Sequence, residues 1–166
     1  MFARLSLLRP TLSTVPACSV RAYGMRHTDK VVLESAAAPA AIGPYSQAIL
    51  VPSSGQVHVS GCLGLDPKSG ELVSANVAEQ AARALENMQA VLQEADCSMA
   101  DVVKCTVLLR SMDDFGAVNE VYSRYFSTQS GAEAAPAAFP ARICYAVSGL
   151  PKNALVEIDA IAQQPK

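Results

Sequence analysis

The sequence predicts an α+β fold, a mixed β-sheet with two helices packed on one of its faces. Three observations predict it. Short apolar runs rich in β-branched residues recur along the chain, two longer segments instead repeat their apolar residues at helical spacing, and the resulting order is β-β-β-α-β-α-β-β. With 166 residues, one domain around one core is expected. Half of the residues are hydrophobic (51%), 17% are charged and tryptophan is absent, so that core is built mainly of Ala, Val, Leu and Ile.

Residues 31–33, 48–51 and 56–63 read as strands, and Pro52-Ser53-Ser54-Gly55 turns the chain between the second and third to make an antiparallel hairpin. Asp66-Pro67-Lys68-Ser69-Gly70 is a further turn. Asn76 is a helix cap, and Glu79 stands three residues on, as a capping box requires. Val77, Ala81, Ala84, Leu85, Met88, Val91, Leu92 and Ala95 then form the apolar stripe of a long amphipathic helix. Residues 102–109 are apolar and β-branched, as a central strand would be. A second helix is expected over 113–127, with Phe115, Val118, Tyr122, Tyr125 and Phe126 facing inward. Residues 127–138, rich in Ala, Ser and Gly, read as a loop.

The most informative segment lies near the end. Residues 141–147 and 154–162 alternate, and Ser148-Gly149-Leu150-Pro151-Lys152-Asn153 between them has the composition of a turn, so the two are expected to pair as a hairpin. Closed symmetrically, that hairpin would set Cys144 opposite Glu157 and place Arg142, Cys144 and Glu157 on one face. A lone arginine and a lone glutamate on one apolar wall have two readings. A guanidinium binds a carboxylate through two parallel hydrogen bonds, and a nearby carboxylate can orient a water and take its proton. The same two residues could equally form an ion pair that only holds the hairpin.

The remaining composition excludes several classes. The formal charge is −2 with no run of Lys or Arg, which argues against a general nucleic-acid binder. No stretch approaches the roughly 18 apolar residues needed to span a bilayer. Cys62, Cys97, Cys105 and Cys144 show no C-x-x-C spacing, and His58 is the only histidine inside the domain, so neither a zinc site nor a catalytic triad is expected. The first thirty residues differ from the rest. They carry Arg4, Arg9, Arg21 and Arg26 among Ser, Thr, Leu and Ala, with no acid before Asp29. This is the composition of an organelle transit peptide. Arg21-Ala22-Tyr23 resembles a mitochondrial processing site, and cleavage after Tyr23 would remove Arg4, Arg9 and Arg21, taking the formal charge from −2 to −5. Residues 1–23 are therefore assigned to a leader extending to about 30, residues 31–163 to the domain, and the protein to the mitochondrial matrix. A plastid or a cytoplasmic location with a disordered extension are the alternatives.

Four spaced motifs give the chain a family likeness. Phe139-Pro140-Ala141-Arg142, followed by Leu150-Pro151 and Val156-Glu157-Ile158, is one. Ile42-Gly43-Pro44-Tyr45-Ser46-Gln47-Ala48 is the second, Val59-Ser60-Gly61 with Asp66-Pro67 the third, and Asp113-Asp114-Phe115 with Val118-Asn119 and Tyr122 the fourth. From about residue 31 to 162 the sequence resembles the RidA (YjgF) family of small trimeric proteins. The resemblance implies the chorismate-mutase-like RidA fold, a homotrimer with a central barrel, and active sites in clefts between subunits. It implies an enzyme that hydrolyses 2-iminobutanoate and 2-iminopropanoate to 2-oxo acids and ammonia, with no metal or cofactor and with small 2-imino acids as its substrates. Arg142 would clamp the substrate carboxylate and Glu157 would position the attacking water. Tyr45, Ser60, Gly61, Asn119 and the backbone of Cys144 would shape the pocket. Some relatives are described as translation inhibitors that cut single-stranded RNA, and a non-catalytic carboxylate-binding or holdase module is a further alternative. Two features depart from the family pattern. The 127–138 loop is several residues longer than usual, and Cys62 stands where many relatives carry glutamine.

Overall fold

The computed structural model describes residues 29–127 and 138–165. Residues 1–28, where a leader is expected, and nearly all of the expected 127–138 loop lie outside the described residues. Among the described residues six strands form one sheet: β1 (Val31–Leu33), β2 (Ala48–Val51), β3 (Gln56–Leu63), β4 (Val102–Leu109), β5 (Ala141–Ala146) and β6 (Val156–Gln163). Two helices, α1 (Val77–Gln93) and α2 (Phe115–Ser127), complete the expected α+β order.

The local grammar works largely as the sequence predicts. The 52–55 turn closes β2 onto β3, with Gly55 taking the φ of +70° that the tight turn demands. In the 66–70 turn, Asp66 Oδ1 accepts from the backbone N–H groups of Lys68 (3.0 Å) and Ser69 (2.8 Å). Asn76 Oδ1 caps α1 by accepting from Ala78 N–H (2.9 Å) and Glu79 N–H (3.2 Å). The expected capping box is only half formed, because Asn76 N–H donates to Ser74 Oγ (2.7 Å) rather than to Glu79. The second helix starts later than expected. Ser111 caps a single 3-10 turn over Met112–Asp114 before α2 begins at Phe115. Phe115, expected to face inward, is 37% exposed, while Val118, Val121, Tyr122 and Phe126 are buried.

The stripe of α1 packs on β3 and β6, with Leu85, Met88 and Leu92 fully buried. Each such side chain contributes about 1.5–3 kcal/mol by leaving water. The core therefore lies between the helices and one face of the sheet. A smaller cluster, centred on Leu63, Leu65, Leu150 and Ala154, with Leu108 packed against it, sits at one end of the opposite face.

The C-terminal hairpin does not form. The strand order is β1-β2-β3-β6-β4-β5, so β4 lies between the two strands expected to pair. β5 runs parallel to β4, reached through the α2 crossover, and β6 runs antiparallel to both β4 and β3. Residues 147–155 carry the chain around the end of β4. Val147 N–H donates to Leu109 O (2.9 Å) and Arg110 N–H to Leu155 O (2.9 Å), fixing both sides of that crossing. An apolar β4 needs partners on both edges, and placing β5 and β6 on either side provides them.

Candidate functional site

The strand order decides where the two most informative side chains go. In the register, Arg142 stands beside Cys105 and Glu157 beside Leu108, three residues further along β4. Side chains alternate faces, so Arg142 and Glu157 lie on opposite faces of the sheet. Arg142 shares the helix-covered face with Cys144, but Glu157 does not join them. The expected common wall is therefore corrected. Glu157 is aligned instead with Tyr145, across Leu108.

On the helix side, the guanidinium carbon of Arg142 lies 4.6 Å from the centroid of the Tyr122 ring and 5.8 Å from that of Phe115. Cation–π attraction of this kind helps to hold the group beside the rings, and its planar fork of N–H donors suits a ligand carboxylate. Tyr122 is in turn stacked on Phe126, at 4.4 Å between centroids. Arg142 borders an open cleft together with Asn119, Tyr122, Ser123, Phe139 and Pro140. Cys144 is half-buried against the core. Since Val147 N–H points at β4, alternation along the strand directs the backbone groups of Cys144 off the free edge of β5. Its peptide is thus available to a ligand, whereas burial pushes its thiol up from the usual range. Burial also pushes the Cys62 thiol up to about 12 and the Cys105 thiol up to about 11. None of these is an activated nucleophile near neutral pH.

The other predicted residues assemble around β3. A bulge between Val59 and Cys62 puts one extra residue into β3 opposite β6. The extra length brings the backbone of Gly61 against the side chain of Glu157. A Cβ on Gly61 would overlap the carboxylate, lying only 2.8 Å from Glu157 Cδ. Only glycine permits that contact. Partial burial first, and the neighbouring Asp159 second, hold the Glu157 carboxyl above the usual carboxylate range.

Ser60 and Gly61 border a small cavity with Tyr45, roofed by the 38–40 segment. Ser60 Oγ donates to Ser46 O (2.7 Å) and Ser60 N–H to Gln47 O (3.0 Å), so this serine chiefly pins the loop that carries Tyr45. Tyr45 is exposed, and its hydroxyl oxygen accepts from Ile42 N–H (3.2 Å). The predicted residues thus fall into two groups. One holds Tyr45, Ser60, Gly61 and Glu157, and the other holds Asn119, Arg142 and Cys144.

Sequence reasoning missed four residues. Gln47 staples the loop: its Oε1 accepts from Ser35 N–H (2.6 Å), and its Nε2 donates to Pro39 O (2.7 Å) and Ser35 O (3.2 Å). Asp159 supplies the second charge beside Glu157 and accepts from Thr106 N–H (3.1 Å). Gln80 and Asn87 are buried amides within the stripe of α1. Their signal is visible in hindsight as two amides seven residues apart at positions where the helical period calls for apolar side chains.

Fold and geometry define a small α+β protein with a cationic, aromatic-backed cleft on one side and a glycine-seated carboxylate on the other. The chain belongs to the endoribonuclease L-PSP family, whose model matches residues 35–164, the group that also contains RidA and YjgF. It is 48% identical over 133 residues to the human 2-iminobutanoate/2-iminopropanoate deaminase, covering 80% of this chain and 89% of that protein. Identity to the Bos taurus deaminase is 49% over the same length. Among solved structures, Escherichia coli TdcF with bound serine superposes with a TM-score of 0.73 at 36% identity, covering 81% of this chain and 98% of that one. The Escherichia coli YjgF gene product gives a TM-score of 0.72 at 36% identity, with the same coverage.

Proposed function

We propose that this protein hydrolyses reactive 2-imino acids, 2-iminobutanoate and 2-iminopropanoate, to 2-oxo acids and ammonia. The observation that carries the reading is a guanidinium laid out for a carboxylate, together with a carboxylate that retains its proton readily, in a chain about half identical to proteins named for this reaction. Arg142 binds the substrate carboxylate through its fork. Glu157 takes a proton from water as the water oxygen bonds to the imine carbon and the C=N π electrons move to nitrogen. The proton passes to that nitrogen, the C–N bond breaks, the hydroxyl proton is lost as the carbonyl forms, and ammonia leaves. Tyr45, Gly61, Asn119 and the Cys144 peptide enclose the substrate. The serine held by the TdcF relative is a carboxylate-bearing molecule of comparable size.

The active unit is a homotrimer in which the Arg142 group of one subunit meets the Glu157 group of its neighbour. Two features support this. The groups face away from each other in one chain, and the sheet face away from the helices leaves Ile143 and Tyr145 about half exposed (49% each). Burying each large apolar side chain contributes about 1.5 kcal/mol or more, which favours a second copy as the cover. The arginine-rich, acid-free leader supports a mitochondrial place of action, where the enzyme would spare pyridoxal-phosphate enzymes from damage by their own released imines.

The direct test supplies 2-iminobutanoate from a threonine dehydratase and follows 2-oxobutanoate. The protein is expected to accelerate imine loss. No acceleration, together with cleavage of single-stranded RNA, would favour the endoribonuclease activity that the family description names. The pH dependence gives a second check. Glu157 must be ionised to act as base, and its carboxyl is held above the usual range, so turnover should fall on acidification at a pH higher than an ordinary carboxylate would give. Asp159→Asn removes a like charge and favours ionisation of Glu157, so the acid limb of the kcat profile should move to lower pH. An unmoved limb would mean that Glu157 does not control it.

A further inference from the structure

The stripe of α1 carries two amides that a helix packed on a sheet would not ordinarily bury. Gln80 is 1% exposed and Asn87 is 2% exposed. Buried amides are costly unless they find partners, and here the partners share one location. Asn87 Nδ2 donates to Leu63 O (3.0 Å) and to Leu65 O (2.9 Å). Leu63 is the residue paired directly with Glu157 across β3 and β6. Gln80 Oε1 accepts from Leu155 N–H (2.8 Å), two residues before Glu157, while its Nε2 donates to Ser74 O (2.8 Å).

The two amides grip the sheet at two points close to the catalytic carboxylate. One holds the end of β3 just past the bulge, and the other holds the start of β6. Between them the helix backbone itself presses on the sheet, because a Cβ on Gly64 would lie 2.5 Å from Gln80 Cα. A hydrophobic contact cannot fix the height of one strand against another, whereas a hydrogen bond to a named carbonyl or N–H can. The contact between Glu157 and Gly61 depends on that relative height. Among the described residues Asn87 Oδ1 has no partner, yet the residue also borders the cavity shared with Ser60 and Gly61. Its two donated bonds, one to the last residue of β3 and one to Leu65 just past it, account for its presence.

We propose that Gln80 and Asn87 are positioning residues, whose hydrogen bonds from α1 to the flanks of β3 and β6 hold Glu157 against Gly61 in the geometry that its reaction needs. This deepens the deaminase reading and rests on it. The Arg142 group lies on another strand and is not held by these bonds, so the two amides should govern turnover and not substrate capture.

A double-mutant cycle on the purified full-length protein tests this. Asn87→Leu removes both donors. In the folded protein kcat should fall about tenfold or more while KM and binding of 2-oxobutanoate stay within about twofold. Combined with Glu157→Gln, it should lower kcat no further than Glu157→Gln alone, because a misplaced base matters only while the base is present. A role in stability alone predicts a lower melting temperature with native kcat, or equal losses in both backgrounds, and either result would overturn the proposal. If Asn87→Leu does not fold, Gln80→Met enters the same cycle, and failure of both variants to fold would assign the amides to stability and sink the idea. A Glu157→Gln protein with full activity removes the functional reading and this inference together. A slow Glu157→Gln protein with additive amide variants removes this inference alone.

Discussion

Glu157→Gln is expected to lower turnover by roughly 10²–10⁴-fold while leaving binding of a 2-oxo acid product close to native. Glutamine fills the same volume beside Gly61 but cannot take the proton of water. Arg142→Lys should fail differently. Lysine keeps the charge but loses the two-pronged fork and the guanidinium's contact with Tyr122. A charge-assisted hydrogen bond is worth about 1.5–3 kcal/mol, so KM should rise roughly tenfold to a hundredfold. Both variants should melt near the native temperature, since neither side chain belongs to the core. Product binding measured beside imine hydrolysis checks the pair. Full activity in Glu157→Gln would leave only a binding module, and native KM in Arg142→Lys would remove the carboxylate clamp.

Assayed with substrate below the wild-type KM, mixing those two variants should restore activity that neither has alone. If each site joins the Arg142 group of one subunit to the Glu157 group of the next, a mixed trimer contains sites built from the two intact halves. Random one-to-one assembly in a closed ring gives such sites roughly a quarter of the time, so co-expressed variants should recover about a quarter of wild-type activity. No recovery would mean that both side chains serve one chain's site, against the opposite-face geometry seen here. A mature chain that scatters light as a monomer would have the same consequence.

Much of the architecture is legible in the sequence because it is written in local patterns. The cap at Asn76, the turn at Asp66, the stripe of α1 and the apolar strand at 102–109 each depend on residues close in the chain, and each is found where the pattern puts it. The missing half of the capping box is itself local, since Ser74 competes for the same N–H. The larger miss is the C-terminal hairpin. Two alternating segments around a turn look the same whether they pair with each other or straddle a third strand. What separates the cases is how β4 satisfies both its edges and how the α2 crossover returns to the sheet.

The candidate site divides along the same line. The sequence by itself determined the elements, their order, the lone arginine and glutamate in apolar strands, and the glycine at position 61, because side-chain chemistry and short-range periodicity reside in the residues themselves. Only the tertiary structure decided that Arg142 and Glu157 occupy opposite faces, that a bulge seats Glu157 on Gly61, and that two amides of α1 hold the end of β3 and the start of β6. Strand neighbours and register are set by contacts between residues far apart in the chain, and a period of two carries no record of which strand lies next door.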